Sequence, residues 1–235
     1  LFELATVATK RNPTNSIEKS GVALGEYTNI NHAKSIVTLL MMQAGGRITT
    51  RDSSGKLTPS MVARVGDSQQ AADSALRFYT DFANPVKTHY SWNRSLPESR
   101  SMFGNGDLAL YIGLVSEEPL VRRINPNLNF AIAPIPQIRG EATTMNSGFV
   151  YGLAIPKANT NTQGALTIAY LLAGEGPSQL LSQALGLPSA RRDVLSKPVT
   201  GNDDLFAKQA LLMRSWIDPD PEKTNVIFRD MIQNV

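Results

Sequence analysis

The chain has no cysteine. That excludes disulfides, zinc–thiolate centres and cysteine nucleophiles, and leaves the compartment open. Histidine is almost as scarce, with only the 2 residues His32 and His89. They stand far apart, one at a helix start and one in an aromatic loop, so no metal set or nucleophile–base pair is assembled around either. There is no H-E-x-x-H, G-x-S-x-G or G-x-x-x-x-G-K. Gly104-Asn105-Gly106 precedes a strand-like run, whereas a dinucleotide loop follows one, and Gly174-Glu175-Gly176 joins two helical segments. Both read as turn glycines. No apolar run is long enough to span a bilayer, and no secretory leader is visible. The chain opens on Leu1-Phe2-Glu3-Leu4, already inside a helical pattern.

What is present describes a globular α/β protein. Of 235 residues, 42% are hydrophobic and 18% charged, enough apolar material for a sizeable core. The formal net charge is +3, and the basic residues are scattered apart from Arg122-Arg123 and Arg191-Arg192, a solvated surface rather than a nucleic-acid stripe. The acidic groups Glu117-Glu118, Asp203-Asp204 and Asp218/Asp220/Glu222 each fall at a predicted helix start, where carboxylates complement the helix dipole. Prolines 219 and 221 break the spacing of a calcium loop. No catalytic, metal or cofactor residues are assigned.

Periodicity predicts helices over Leu1–Lys10, Asn31–Gln43 (Asn31 as N-cap), Ser68–Phe82, Pro97–Phe103, Pro119–Ile124, Thr162–Ala173, Ser178–Leu185, Asp203–Ile217 and Glu222–Val235. It predicts strands over Val22–Leu24, Asp107–Ile112, Phe130–Ala133 and Phe149–Ile155. Inward positions are expected at Ala165, Ile168, Ala169 and Leu172, at Phe206, Ala210, Met213 and Ile217, and at Phe228, Met231 and Val235. Thr49–Ser60 reads as an exposed loop. The centre of the pattern is Ser101–Pro136, where two short apolar runs end in Gly or Pro as strands buried on both faces do. Pro134 and Pro136 mark the second strand leaving its sheet. Strands alternating with helices imply ligand binding beyond the carboxyl ends of strands.

Phe103-x-x-Gly106-x-x-Ala109-Leu110-Tyr111, followed by Asn125-Pro126-x-Leu128-x-Phe130-x-Ile132-Ala133-Pro134-Ile135-Pro136, resembles the solute-binding proteins of ABC importers, in particular the maltose-binding-protein-like, sugar-type subgroup. The resemblance runs on through Gly152-Leu153-Ala154-Ile155-Pro156-Lys157. It takes in Gly21–Gly46 and Phe78–Pro85 upstream. It implies a type II periplasmic-binding-protein-like fold of two α/β lobes, represented here by most of the second lobe and part of the first. Residues 1-136 and 187-235 would form the second lobe, and 137-186 would pack on a first lobe supplied mostly upstream of Leu1. The function implied is extracytoplasmic capture of a solute, a sugar in this subgroup, by hinge closure. The protein would be a non-catalytic monomer, periplasmic or a cell-surface lipoprotein, delivering its ligand to importer membrane subunits. The residues alone leave open an α/β enzyme acting on carbohydrate, such as a glycoside hydrolase or transferase, and a pure interaction domain; turnover of sugars separates the enzyme from the binding protein.

Sugar faces stack on aromatic rings, and their rims take hydrogen bonds from Asn, Glu, Arg and Tyr. The candidate ligand-binding residues are therefore the polar–aromatic loops holding Glu26, Tyr27, Asn29 and Asn31, and Trp92, Asn93 and Arg94, with Tyr111, Gly113 and Tyr151 at strand ends. Two tryptophans that the resemblance places after Leu108–Ile112 and near Asn225 are replaced by Gly113-Leu114-Val115 and Asn225-Val226-Ile227-Phe228.

Overall fold

The computed structural model describes residues 1–61, 68–140 and 144–235. Residues 141–143 of the polar stretch Arg139–Ser147 lie outside the described residues. Helix α1 (Phe2–Ala8) leads into β1 (Lys10–Arg11) and β2 (Ile17–Val22). Helix α2 (Ala33–Gln43) follows, then an antiparallel hairpin of β3 (Thr49–Arg51) and β4 (Leu57–Pro59). Helix α3 (Ser68–Thr80), α4 (Ser99–Gly104), strand β5 (Leu108–Leu110) and α5 (Glu118–Ile124) complete the first half. The second half holds β6 (Asn146–Ser147), α6 (Thr162–Leu172), α7 (Glu175–Leu185), α8 (Arg192–Leu195), α9 (Asn202–Leu211), β7 (Met213–Arg214) and α10 (Pro221–Gln233).

The main sheet has the order β1-β2-β5. β1 runs antiparallel to β2, and β5 runs parallel to it in the register Ser20↔Leu108 and Val22↔Leu110. The parallel pair is what positions the site, because both strands end on the same side. Helix α1 lies so close to β2 that a Cβ on Gly21 would come within 2.6 Å of the Ala5 carbonyl oxygen. α2 packs on α3, and between them and the sheet lie Val22, Leu24, Val37, Met41, Tyr79 and Phe82, with Trp92 and Phe228 closing the core. Ala75, Leu76, Tyr79 and Phe82 are buried as one stripe, as the α3 periodicity predicts. Burying such side chains contributes roughly 1.5–3 kcal/mol each for the large ones.

Several elements differ from expectation. The strand expected at Val22–Leu24 runs instead over Ile17–Val22; its first half pairs only with the two-residue β1, which leaves Glu18 and Lys19 exposed. Thr49–Ser60 is a hairpin, not a plain loop. The Asp52 carboxylate accepts from the backbone N–H groups of Ser54 and Lys56 and closes the turn. Asn31 does not cap α2; the residue before that helix is His32, in the left-handed region at φ 59°. The Asn31 side-chain oxygen accepts instead from the Arg100 N–H and the Ser99 hydroxyl, serving the first turn of α4.

Neither Phe130–Ala133 nor Phe149–Ile155 pairs in a ladder. Phe130 packs edge-on to Phe103 with the Arg122 guanidinium over its ring, but the run as a whole is half-buried to exposed. The predicted helix 203–217 ends at Leu211 because Met213 and Arg214 pair with β6, so Met213 and Ile217 do not share its face. On α10 the inward positions are Phe228 and Ile232, while Val235 is 64% exposed. In α6, Ile168 and Leu172 face outward, and none of the described residues of 137–188 is buried.

Candidate functional site

Beyond the carboxyl end of β2 the chain runs buried through 23–26 and then surfaces at Tyr27. Here a cavity of about 580 Å³ opens between the Tyr27–Ser35 segment, the 147–149 segment and the 215–225 segment. That volume is within the range of small-molecule sites, about 300–1,000 Å³. Trp216 and Tyr27 supply aromatic surface, and Ser35, Thr38 and Asn225 supply polar groups. Among the described residues the Tyr27 hydroxyl has no hydrogen-bond partner. Burial raises its pKa above the ordinary tyrosine value, with Arg229 opposing, so it stays a neutral donor and acceptor.

The polar floor is built around Lys34, in the first turn of α2. Its Nζ donates to Asp218 Oδ2 at 2.6 Å and to Thr224 Oγ1 at 2.7 Å, and lies 5.4 Å from the centre of the Trp216 ring. Thr224 donates in turn to Asp218. Both Pro221, at the first position of α10, and the Asp220 side chain, which accepts from the Lys223 N–H, fix the start of α10 beneath this group.

A second, larger cavity, about 700 Å³, runs along β5 and the 128–136 segment, lined mainly by apolar side chains such as Phe103, Leu110, Ile132 and Phe206. His32, Ser35 and Ser147 line both cavities. The buried Glu117 lines the second cavity beside His32. Its carboxylate accepts from Arg100 Nη1 at 3.0 Å, the Tyr111 hydroxyl at 3.0 Å and the Leu114 N–H at 2.8 Å. His32 Nε2 lies 3.0 Å from its Oε2, an ion-pair distance at which the ring N–H is not aimed along the oxygen. Burial pushes the Glu117 carboxyl up, but the adjacent His32 ring and the Leu114 and Tyr111 donors outweigh it, and its pKa lies below that of an ordinary glutamate. The Tyr111 hydroxyl is raised by burial and by the Glu117 charge.

The sign of the Glu117 shift gives an expectation. A carboxyl whose folded pKa is depressed contributes stability that is fully present above its unfolded value, about 4.3, and lost as pH falls through the folded value. Glu117→Gln is expected to flatten the loss of stability below about pH 4.3, measured as urea midpoints across pH. An unchanged acid slope would contradict the shift.

The expected site residues separate into groups. Tyr27 lines the first cavity, and Tyr111 and Gly113 line the second. Gly113 has a local reason to be glycine, since a Cβ there would meet the Tyr111 ring at 2.5 Å and Glu117 Oε2 at 2.6 Å. Glu26, Asn29, Asn31, Asn93 and Arg94 tie loops together. Glu26 is buried and pairs with Arg94 at 3.0 Å, and the Asn29 amide donates to the Asn93 and Leu96 carbonyls. Asn93 closes its own turn, accepting from Ser95. Trp92, expected in a cleft wall, is 0% exposed and donates from Nε1 to Asn29 Oδ1 at 3.1 Å, so no face of its ring is open. Tyr151 is 90% exposed and lines neither cavity. The residues that sequence reasoning missed are Lys34, Trp216 and Asp218. Trp216 was hidden inside an over-long predicted helix, and the Asp218-Pro-Asp-Pro break just after it was the available signal.

No family model matches the sequence, and no curated protein matches it. Among solved structures, the chain is similar to a cyclo/maltodextrin-binding protein complexed with maltotetraose, with a TM-score of 0.67 at 16% identity over 100% of this chain and 58% of that one. It is also similar to an ABC transporter solute-binding protein from Thermotoga lettingae bound with α-D-tagatose, with a TM-score of 0.57 at 20% identity over 99% of this chain and 57% of that one. The chain thus has the fold of the type II periplasmic binding proteins, and spans less than two thirds of the length of either structure.

Proposed function

We propose that the protein is the solute-binding component of an ABC importer and takes a carbohydrate in the cavity of Tyr27, Trp216 and Asn225. The observation that carries this is chemical. At the carboxyl end of the parallel strand pair, an accessible indole and phenol stand beside neutral hydrogen-bonding groups and a satisfied ion pair. An aromatic face with a polar rim is what a pyranose or furanose ring needs. Two proteins of the same fold were crystallised with sugars, which supports the same ligand class.

On this reading the protein is non-catalytic, acts outside the cytoplasm and hands its ligand to the importer's membrane subunits. Residues 1-136 and 187-235 form one lobe and 137-186 belongs to the other, the two closing on ligand by a hinge. The distribution of burial supports the division, since the core comes from the first group. A thermal-shift screen of the intact protein against neutral mono- and oligosaccharides, amino acids and nucleosides tests the reading. Saturating sugar at 100 times its Kd raises stability by about 2.7 kcal/mol. A shift with amino acids or nucleosides alone, or turnover of the sugar, would overturn it.

A further inference from the structure

The cavity beside Trp216 contains a cation that is already spoken for. Of the charged side chains in its wall, Lys34 is held by Asp218 and His32 faces Glu117. Lys34 and Asp218 are only 16% and 21% exposed, so their attraction is less screened by water than that of a surface pair. The geometry is closed on both sides. Lys34 Nζ reaches Asp218 and Thr224, and the Thr224 hydroxyl lies 2.9 and 3.0 Å from the two Asp218 oxygens and 3.0 Å from the Asp220 carbonyl. A lysine in the first turn of a helix sits where the dipole disfavours a cation, and α2 offers it no acid in that turn. Its partner comes from far along the chain.

We infer that Asp218 is a specificity-determining residue: its carboxylate occupies the place on Lys34 that a ligand carboxylate would take, so the cavity accepts neutral polyols and rejects acidic ones. A uronate entering the wild-type cavity meets a neutralised lysine and the Asp218 charge, a like-charge contact that discriminates by repulsion. Asp218→Asn keeps the shape and an acceptor for Thr224 but leaves the Lys34 ammonium without its counter-charge. The same pocket then presents a cation against the Trp216 ring, a setting suited to a hexuronate. This inference rests on the carbohydrate reading above.

The test is calorimetric titration of the intact wild-type, Asp218→Asn and Lys34→Met/Asp218→Asn proteins with glucose, maltose, glucuronate and galacturonate. Wild type is expected to bind a neutral sugar and to bind the matching uronate at least about tenfold more weakly. Asp218→Asn is expected to gain about tenfold or more for the uronate, and the double variant to lose that gain. Asp218→Ser serves as a second variant if the amide does not fold. Equal wild-type affinity for sugar and uronate would overturn the inference, as would no gain in a folded Asp218 variant that still binds neutral sugar. A uronate gain in a protein whose wild type binds no neutral sugar would support the role of Asp218 and defeat the reading of the cavity as a neutral-sugar site.

Discussion

Trp92→Ala is expected to destabilise the protein by about 3–5 kcal/mol, the usual cost of removing a large aromatic from a packed core. The ring is completely enclosed, and its N–H is one of the contacts that fix Asn29. Asn29 in turn holds the carbonyls of Asn93 and Leu96 at 2.9 Å, so the indole couples two loops through one amide. The Trp92 backbone N–H also donates to the Phe82 carbonyl at 3.2 Å, anchoring the loop to the 3-10 turn that follows α3. Truncation therefore leaves a cavity and an unsatisfied Asn29 oxygen together, and the second adds to the first. Urea denaturation of the variant measures the loss. A change below about 1 kcal/mol, accompanied by weakened ligand binding, would place the ring in a binding wall after all.

Hydrogen exchange is expected to divide the 235-residue chain sharply. Helices α6 and α7 contain no buried residue, and Phe149, Val150, Tyr151, Leu180 and Leu181 are all at least 60% exposed. Protection follows burial, because local opening is opposed only by the contacts it breaks. Amides of 149–185 are expected to exchange rapidly, and those of α2, α3 and β2, which carry the core, to exchange close to the global unfolding rate. These exposed apolar side chains are far more than solubility requires, and they mark a face to be covered. On the proposed lobe division, the rest of the lobe to which 137-186 belongs covers it in the intact protein. Strong protection through 149–185 in the isolated chain would contradict the division.

The sequence revealed the parts whose burial is decided locally. The stripe of Ala75, Leu76, Tyr79 and Phe82 and the run at Leu108–Leu110 were legible because one periodicity dominates each. The strand Ile17–Val22 was mostly missed because Glu18 and Lys19 break the apolar character of its first half. The hairpin Thr49–Pro59 was missed because its turn, Asp52–Gly55, outweighs its short arms. Phe130–Ala133 and Phe149–Ile155 show the opposite error: an apolar run says that a segment wants cover, but not from which element.

The site was harder to read, since a tryptophan in a polar loop and a tryptophan in a helix-like stretch exchange roles in three dimensions. Trp92 is drawn inward by Asn29. Trp216 is left half-buried in the cavity wall because β7 ends the helix before it. The pairing of Lys34 with Asp218 joins opposite ends of the chain, and no local pattern contains it.

That contrast between the two indoles also provides the most direct test of the account. Trp92 and Trp216 are the only 2 tryptophans in the chain, and Trp92 is sealed. A neutral sugar titrated into the intact protein is expected to change the emission saturably, with Trp216 as the contributor from this chain. Trp216→Phe should remove the Trp216 share of that signal while retaining binding. Trp216→Ala should weaken binding measured by calorimetry by about 1–3 kcal/mol, with a much smaller effect on stability than Trp92→Ala. Full sugar affinity in a folded Trp216→Ala protein would contradict the claim that this cavity is where the ligand binds.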